Sequence, residues 1–348
     1  MSILENIKLL DCTLRDGGHA LEDMAYHKNE TKLFNSRDKE NLIVNLNKAQ
    51  IEIIEIGSIA DGIKENKGFS VYTDIEETYK DYADRLHDDQ EFAIIYRDPH
   101  LYKNFIPNWR EGLPKIARVI IRYFDLTKSF DFCRTLANKG YKVFIQPMAT
   151  IQYSEEELVM LTNLANEINA QALYIVDTYG AMMSGDIKKI FNIFDKFLDK
   201  KINIGLHAHD NLQLAFQNSI DFLQLKSSRG KIVDCTAYGM GLGAGNCKTE
   251  LIASYINKNF NKKYNLEKIL SACEVVETLN GTDQNWGVGL VNTLPALENV
   301  ATKYVQNLRY DHKLTYDKIY KVLKLIPNKI KQQYSKENMK VVSNLLKN

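Results

Sequence analysis

Eight short runs of β-branched and aliphatic residues, separated by amphipathic segments, restrict the fold of this chain more than any other feature. Strands that alternate with helices predict a parallel sheet with crossover helices. Eight such units over about 260 residues are typical of a (β/α)8 TIM barrel. A doubly wound open sheet is the alternative, but no GxGxxG follows the first run, which disfavours its dinucleotide-binding form. The predicted strands are 7–13, 51–57, 91–97, 118–124, 142–148, 172–177, 202–209 and 231–236.

The pattern changes after Phe260, where apolar residues recur at helical spacing and no strand pattern is found. We therefore predict a barrel domain over residues 1–262 and a C-terminal helical extension over residues 263–348 that packs on it. Any apolar face of the extension that stays exposed predicts a subunit interface, with a homodimer as the expected assembly. The predicted helices of the extension are 265–279, 294–308, 315–325 and 335–346.

Composition excludes several classes of protein. The 348 residues include 45 Lys+Arg and 44 Asp+Glu, a formal net charge of +1, so no nucleic-acid partner is expected. Five cysteines without a CxxC pair argue against a disulfide scaffold or a zinc ribbon and favour a reducing compartment. The apolar runs fall far short of the roughly 20 residues of a membrane span, and the first ten residues do not resemble a signal peptide. A cytoplasmic protein without a membrane partner is expected.

The seventh predicted strand carries two histidines on one face. His207 and His209 alternate with Leu206 and Ala208, so the two imidazoles share the face opposite the apolar residues. In a barrel that face points into the interior, and active sites lie at the carboxyl ends of the strands. Two imidazoles there favour a divalent metal ion over a pair of hydrogen-bonded core histidines.

The residues after the first strand supply further polar groups. Arg15, Asp16 and His19 follow that strand in a predicted loop, in which Gly17 and Gly18 permit a tight path with positive φ. Taken alone, this segment reads as a solvated polar loop. Closure of a barrel, however, brings the first strand close to the seventh. A carboxylate then joins two imidazoles in a plausible partial coordination sphere.

Two other strand ends carry candidate site residues. Glu55 shares a strand face with Ile53, and burial of its carboxylate requires a partner, for which Arg15 is the nearest candidate. The alternative is a solvent-facing glutamate. After the eighth strand, a glycine-rich segment ends without Gly-Lys-Ser/Thr and is therefore not a phosphate-binding Walker motif. Its place beside the histidines favours a substrate clamp over an ordinary turn.

Together these motifs resemble the DRE-TIM metallolyase superfamily, which contains hydroxymethylglutaryl-CoA lyase, the isopropylmalate and homocitrate synthases and the 4-hydroxy-2-oxovalerate aldolases. The resemblance implies that Asp16, His207 and His209 hold a divalent ion, with Asn246 as a further ligand. Mn²⁺ or Mg²⁺ is expected, and Zn²⁺ or Co²⁺ is possible by ligand type. The motifs are CTLRDG (12–17), EIG (55–57), DT (177–178), HAHDN (207–211) and GAGN (243–246).

The resemblance also assigns the remaining roles. Arg15 matches the catalytic arginine that stabilises an enolate, and Glu55 matches the acid that orients it. His19, three residues after Asp16, is similar to the general base of the hydroxy-oxoacid aldolases, and an unperturbed pKa near ~6.5 suits that role. The alternative is a loop histidine without a role. The implied substrate contacts are Thr178, Gly241, Gly243 and Gly245.

The closest resemblance is to the 4-hydroxy-2-oxoacid aldolases. It implies a class II aldolase, a carbon–carbon lyase, that cleaves or forms a 4-hydroxy-2-oxoacid through a metal-bound pyruvate-type enolate. Its partners would be a 2-oxoacid and an aldehyde; a partner dehydrogenase for the aldehyde is not decided by one chain. The alternatives are an acyl-CoA-dependent synthase, a CoA-ester lyase of the same superfamily, and a catalytically inactive scaffold, which would be expected to lack Arg15 or a ligand.

Overall fold

A closed parallel barrel forms the centre of the protein. The computed structural model describes residues 7–28, 32–60, 66–82, 91–280, 286–287 and 289–345. Eight strands pair in the order β1-β9-β8-β7-β6-β5-β4-β2, and β2 pairs with β1 to close the sheet. The short β3 extends β2 at its carboxyl end. The strands are β1 (Ile7–Asp11), β2 (Ile53–Ile59), β3 (Val71–Tyr72), β4 (Glu91–Tyr96), β5 (Ile116–Ile121), β6 (Lys142–Pro147), β7 (Ala172–Asp177), β8 (Asn203–Ala208) and β9 (Lys231–Cys235).

Helices cover the outside of the barrel and form the C-terminal region, which confirms the predicted (β/α)8 barrel with a helical C-terminal region. One connection departs from the alternation: residues 97–115, between β4 and β5, contain no helix. The helices are α1 (Thr13–Lys28), α2 (Ser36–Lys48), α3 (Ile75–Tyr82), α4 (Leu126–Asn138), α5 (Glu155–Glu167), α6 (Ser184–Phe197), α7 (Ala215–Gln224), α8 (Thr249–Asn259), α9 (Leu266–Asn280), α10 (Leu290–Glu298), α11 (Thr302–Gln306), α12 (Tyr316–Leu325) and α13 (Lys336–Leu345).

Two apolar cores lie outside the barrel interior. The outward faces of the strands pack with α1 to α9 in one continuous core, so α9 belongs to the layer around the barrel and contacts α2. The helices from Leu290 onward form a second core, which reaches the barrel through Ala149 and Tyr179 in the connections after β6 and β7. The C-terminal helices therefore sit over the carboxyl ends of the strands. Among the described helices, none is both long and apolar enough to span a bilayer.

The predicted alternation of β8 has a clear structural counterpart. Ile204 and Leu206 pack in the outer core, whereas His207 points into the barrel. Gly205 also faces inward, and a side chain there would overlap the buried ring of Tyr174 from β7. Below these residues, the barrel interior is filled by a layer of apolar side chains, which includes Leu10, Ile53, Phe144 and Ile232. The buried charged residues Arg118, Asp234 and His207 lie above this layer, and a partly exposed group of ion pairs, Lys8–Glu91–Lys142, lies below it.

Asp177 ends β7 with a buried carboxylate. Its side chain accepts hydrogen bonds from the backbone N–H groups of Ala181, at 2.8 Å, and Met182, at 3.2 Å. Burial nevertheless raises the pKa of Asp177 from 3.8 to about 7. The folded protein therefore holds a proton at this site across a pH range in which the unfolded chain has released it.

Asp177 should consequently make the folded state less stable as the pH rises from about 4 to about 7. We expect Asp177→Asn, which keeps the acceptor oxygen, to reduce the loss between pH 5 and pH 8 by up to about 3 kcal/mol. The measurement is denaturant unfolding at pH 5 and pH 8 in the presence of a chelator. Asp199→Asn, at an exposed position, is the control and should keep the wild-type pH dependence. Equal pH dependence in all three proteins would contradict the expectation.

Candidate metal centre

Helix α1 presents the first group of polar side chains. It begins at Thr13, immediately after β1, and the Asp11 side chain accepts a hydrogen bond from the Thr13 backbone N–H at 2.9 Å. The segment that the sequence predicts as a loop is thus the start of a helix, and Arg15 and Asp16 lie in its first turn.

The two glycines of α1 are helical rather than left-handed, so the predicted positive φ is wrong. Their role is close packing. A side chain on Gly18 would overlap the carbonyl oxygen of Phe69, and one on Gly17 would lie 2.7 Å from Sδ of Met240. The glycines therefore let α1 approach both the β2–β3 connection and the segment after β9.

Asp16, His207 and His209 meet at the carboxyl end of the barrel. Their ligand atoms all lie within 4.8 Å of one another, and all three residues are buried. Asn246 joins the group, because its Nδ2 donates a hydrogen bond to Oδ2 of Asp16. The Oδ1 atom of Asn246 is buried and has no hydrogen-bond partner among the described residues. The geometry thus brings together all four residues that the sequence predicts as ligands.

The two imidazoles show that this group suits a cation. His209 Nδ1 lies 3.2 Å from the carbonyl oxygen of Leu242, and His207 Nδ1 lies 3.0 Å from the carboxylate of Asp234. Both partners are acceptors, so each Nδ1 carries a proton and each Nε2 of a neutral ring presents a lone pair. These two Nε2 atoms face each other at 3.2 Å. Opposed lone pairs beside a carboxylate and an unpaired amide oxygen form a donor set that a divalent metal ion fits.

The charges of the ligands are those that metal binding requires. Burial opposes ionisation of Asp16, but Arg15 and the neighbouring histidines outweigh it and hold the pKa of Asp16 well below its usual range. Burial lowers the pKa of His209 to about 4, although Asp16 opposes this change. At neutral pH, Asp16 is therefore ionised and His209 is neutral, so no proton competes with a metal at these two atoms.

A chain of ion pairs supports these residues from inside the barrel. Arg15 Nε donates to Oε2 of Glu55 at 2.7 Å, which is the partner expected from the sequence, and Arg15 Nη1 donates to Oδ1 of Asp16 at 2.6 Å. The same Oε2 of Glu55 lies 2.8 Å from Nη1 of Arg118. Arg118 Nη2 pairs with Asp234, which bonds His207. The chain thus connects Arg15 to a candidate metal ligand across the barrel.

Sequence reasoning missed Arg118 and Asp234, although a signal was present. Arg118 alternates with Ile116 on β5, and Asp234 alternates with Ile232 on β9, so each shares a face with an apolar residue that fills the barrel interior. A charged residue on an interior face needs a charged partner. The Arg118 side chain is 0 % exposed and stacks over the ring of Tyr174, 4.9 Å from its centroid.

His19 lies beside the candidate metal ligands on the second turn of α1. Its Nδ1 is 3.9 Å from Oδ1 of Asp16, and its buried Nε2 has no hydrogen-bond partner in the part of the chain that the structure describes. Burial, together with Arg97 and Arg15, lowers the pKa of His19 well below its usual range. The unperturbed value assumed from the sequence therefore does not apply, and the ring is neutral at pH 7.

The predicted substrate contacts are divided between two places. Gly241 touches the centre, since a side chain there would lie 2.5 Å from Oδ2 of Asp16. Gly243 and Gly245, at φ +67° and +89°, shape the same segment, which we call the glycine loop (residues 239–245). Thr178 is engaged elsewhere: its hydroxyl accepts a hydrogen bond from the Ala149 backbone N–H at 2.8 Å. That bond ties together the connections after β6 and β7.

Comparison with known proteins agrees with the resemblance stated from the motifs. Residues 125–276 match the HMGL-like family model. The chain is 27% identical over 282 residues to a 4-hydroxy-2-oxovalerate aldolase of Pelotomaculum thermopropionicum, covering 80% of this chain and 78% of that protein. It is 23% identical over 282 residues to an oxaloacetate decarboxylase of Mycobacterium tuberculosis, covering 80% and 79%.

A solved structure shares the architecture. The N-terminal domain of a proposed aldolase from Bacteroides vulgatus superposes with a TM-score of 0.70 at 25% sequence identity, covering 88% of this chain and 98% of that domain.

Metal analysis of purified protein tests the centre directly. We expect about one divalent ion per chain in the wild type, because a carboxylate and two imidazoles converge on one point. His209→Ala removes one donor without breaking the Arg118–Asp234–His207 contacts, and should weaken metal binding at least about tenfold. His100→Ala is the control, because His100 pairs with Asp125 and does not belong to the group of candidate ligands. Equal metal affinity in all three proteins would contradict the assignment.

Proposed function

We propose that this chain, whose residues 125–276 match the HMGL-like family model, is a divalent-metal-dependent aldolase that cleaves or forms a 4-hydroxy-2-oxoacid. The observation that carries the proposal is the convergence of Asp16, His207 and His209 beside the guanidinium of Arg15. Its relatives bear the names of lyases that act on 2-oxoacids, which supports the lyase class for this chain.

The donor set of one carboxylate, two imidazoles and one amide oxygen suits several divalent ions, and we propose Mn²⁺ or Mg²⁺. When bound, such an ion supplies Lewis-acid polarisation of the 2-oxo group of the substrate. Asp16, His207, His209 and Asn246 would hold it. The substrate binds at the same place through its 2-oxo and carboxylate oxygens.

Arg15 is placed to stabilise negative charge on the 2-oxo oxygen. Its Nε and Nη1 are occupied by Glu55 and Asp16, and these two bonds fix the plane of the guanidinium. Its Nη2 makes no hydrogen bond within the described part of the chain and is available to the substrate. A preorganised cation at the oxygen where charge develops lowers the barrier without rearranging during the reaction.

His19 is placed to take the proton whose transfer starts cleavage, because its Nε2 has no hydrogen-bond partner among the described residues. Its neutral ring takes the proton of the hydroxyl on carbon 4 through Nε2, and the bond between carbons 3 and 4 breaks. The electron pair of that bond moves to the oxygen on carbon 2 as an enolate, and the aldehyde leaves. Protonation of carbon 3 then yields pyruvate. Each step is reversible, so the same residues serve carboligation.

Decarboxylation of oxaloacetate is a second candidate, because one relative bears that name. It forms the same pyruvate enolate with Arg15 as the stabilising cation. It differs in one respect: carbon dioxide leaves without loss of a hydroxyl proton, so His19 has no role. The buried, unpartnered Nε2 of His19 favours the aldolase.

The division of the chain at residue 262, the homodimer and the cytoplasmic location stay predictions.

Exchange of the pyruvate methyl protons in D2O tests enolate formation without the aldehyde. We expect exchange that requires added Mn²⁺ and falls at least about 100-fold in Arg15→Lys, because lysine lacks the fixed fork of donors. NMR of the methyl signal is the measurement. Arg134→Lys, which alters a surface pair with Glu167, should exchange like the wild type. Exchange into an acyl-CoA instead of pyruvate would contradict the aldolase and favour the synthase branch.

His19→Ala separates the two candidate reactions. Loss of a general base should slow cleavage of a 4-hydroxy-2-oxoacid by about 10²–10⁴. Pyruvate exchange and oxaloacetate decarboxylation should decline far less, because Arg15 and the metal ligands remain. Pyruvate release, followed by a coupled assay, measures both reactions. His312→Ala, at an exposed position, is the control. Wild-type cleavage by His19→Ala would rule out its role as the base.

A further inference from the structure

A large cavity adjoins the candidate centre on the side of the C-terminal helices. Its volume is about 760 Å³, and its walls come from α1, the glycine loop, the start of α10 and the π-helical turn Asn307–Asp311. Gly241, Leu242 and Gly243 line it. The backbone of Leu242 also contacts the centre, with its N–H 3.4 Å from Asp16 and its carbonyl oxygen bonded to His209. The glycine loop is therefore a shared wall between the centre and the cavity.

Three residues that line the cavity carry buried polar atoms without a hydrogen-bond partner among the described residues. They are Nε1 of Trp286, Oε1 of Gln306 and Oδ1 of Asn307. One is a donor and two are acceptors. A buried polar group left without a partner costs about 1–3 kcal/mol. These atoms have almost no accessible surface, so each reaches a ligand only after a rotation of its side chain. A chain that carries hydroxyl groups can then both donate and accept, whereas an alkyl chain can do neither.

The rest of the described lining consists largely of aromatic rings and of a few acidic and basic side chains. Tyr310, Tyr316 and Tyr334 contribute rings, each with a hydroxyl. Among the lining residues that the structure describes, the charged ones are Asp23, Asp311 and Lys303, so cations are not in excess there. A phosphate-bearing ligand, such as a nucleotide or coenzyme A, would need such an excess. Rings together with neutral hydrogen-bonding groups suit an uncharged polyhydroxylated chain, whose C–H faces pack on aromatic surfaces.

Helix α1 sets the distance between the candidate metal centre and the wall of the cavity that Asp23 and Gln306 form. Asp16 is a candidate metal ligand, and Asp23, which accepts a hydrogen bond from Nε2 of Gln306 at 3.3 Å, lines the cavity. Seven residues of helix separate them, which is roughly 10 Å at a rise of ~1.5 Å per residue. A two-carbon aldehyde held at the centre does not extend to Gln306, whereas a chain of about six carbons does.

We propose that this cavity is a subsite for a polyhydroxylated chain on carbon 4, so that the substrates are 3-deoxy-2-oxo sugar acids and the aldehyde product is a sugar. The inference rests on the proposed aldolase function and specifies its substrate class. The hydroxyl groups of the chain bond Gln306, Asn307 and Trp286, while the 2-oxoacid end stays at Asp16 and Arg15.

Three substrates of graded length and polarity test the subsite with the Mn²⁺-loaded enzyme. They are 4-hydroxy-2-oxopentanoate, 4-hydroxy-2-oxononanoate and a nine-carbon 3-deoxy-2-oxo sugar acid, the pyruvate adduct of mannose. We expect kcat/KM for the sugar acid to exceed both others at least about tenfold. In Gln306→Leu, the ratio of kcat/KM for the sugar acid to that for the five-carbon acid should fall about tenfold, mainly through KM. Gln217→Leu, which loses an exposed contact with Asp221, should keep the wild-type ratio.

The outcomes separate the subsite from the reaction. Preference for the five-carbon or the alkyl nine-carbon substrate, or an unchanged ratio in Gln306→Leu, would overturn the subsite while cleavage and pyruvate exchange upheld the aldolase. Cleavage of none of the three, without pyruvate exchange, would overturn the proposed function and the subsite with it.

Discussion

The buried ion-pair chain from Arg15 through Glu55, Arg118 and Asp234 to His207 is the constraint on which the upper barrel depends. Its members come from α1, β2, β5, β9 and β8, so it joins elements distant in sequence. Together with Asp16, two guanidiniums face three carboxylates, and the group carries one net negative charge. A divalent cation and a monoanionic 2-oxoacid would together bring the buried charge to zero, which is the favourable state in a medium of low dielectric constant.

This constraint explains why removal of Arg118 differs from an ordinary core substitution. The guanidinium has no exposed surface and is shared by Glu55 and Asp234. Without it, both carboxylates would lose a partner inside the barrel, and uncompensated buried charge is far more costly than a cavity of similar size. The arginine also braces Glu55, which in turn orients Arg15, so the geometry of the site depends on a residue on the opposite wall.

The sequence predicts the barrel and the converging ligands because both follow from periodicity. Alternation on β8 places His207 inside, and barrel closure brings Asp16 to it. The sequence does not predict that residues 13–19 are helical, because a Gly-Gly pair is typical of a turn. The two glycines are helical here because α1 packs closely against Phe69 and Met240. Arg118 was missed because a strand predicted to begin at that residue hides its alternation with Ile116. The displaced pKa of His19 depends on burial and on Arg97, which lies on another strand connection.

Helix α1 has a consequence for how such an enzyme changes its substrate during evolution. One continuous helix carries a candidate ligand in its first turn and part of the cavity wall two turns later. The distance between ligand and wall therefore changes in steps of one helical turn, about 5.4 Å. Moving a tail-binding side chain by one turn would lengthen or shorten the accepted chain by roughly four carbons. The preferred length of the substrate can thus change in discrete steps, while the candidate metal ligand at the start of the helix stays in place.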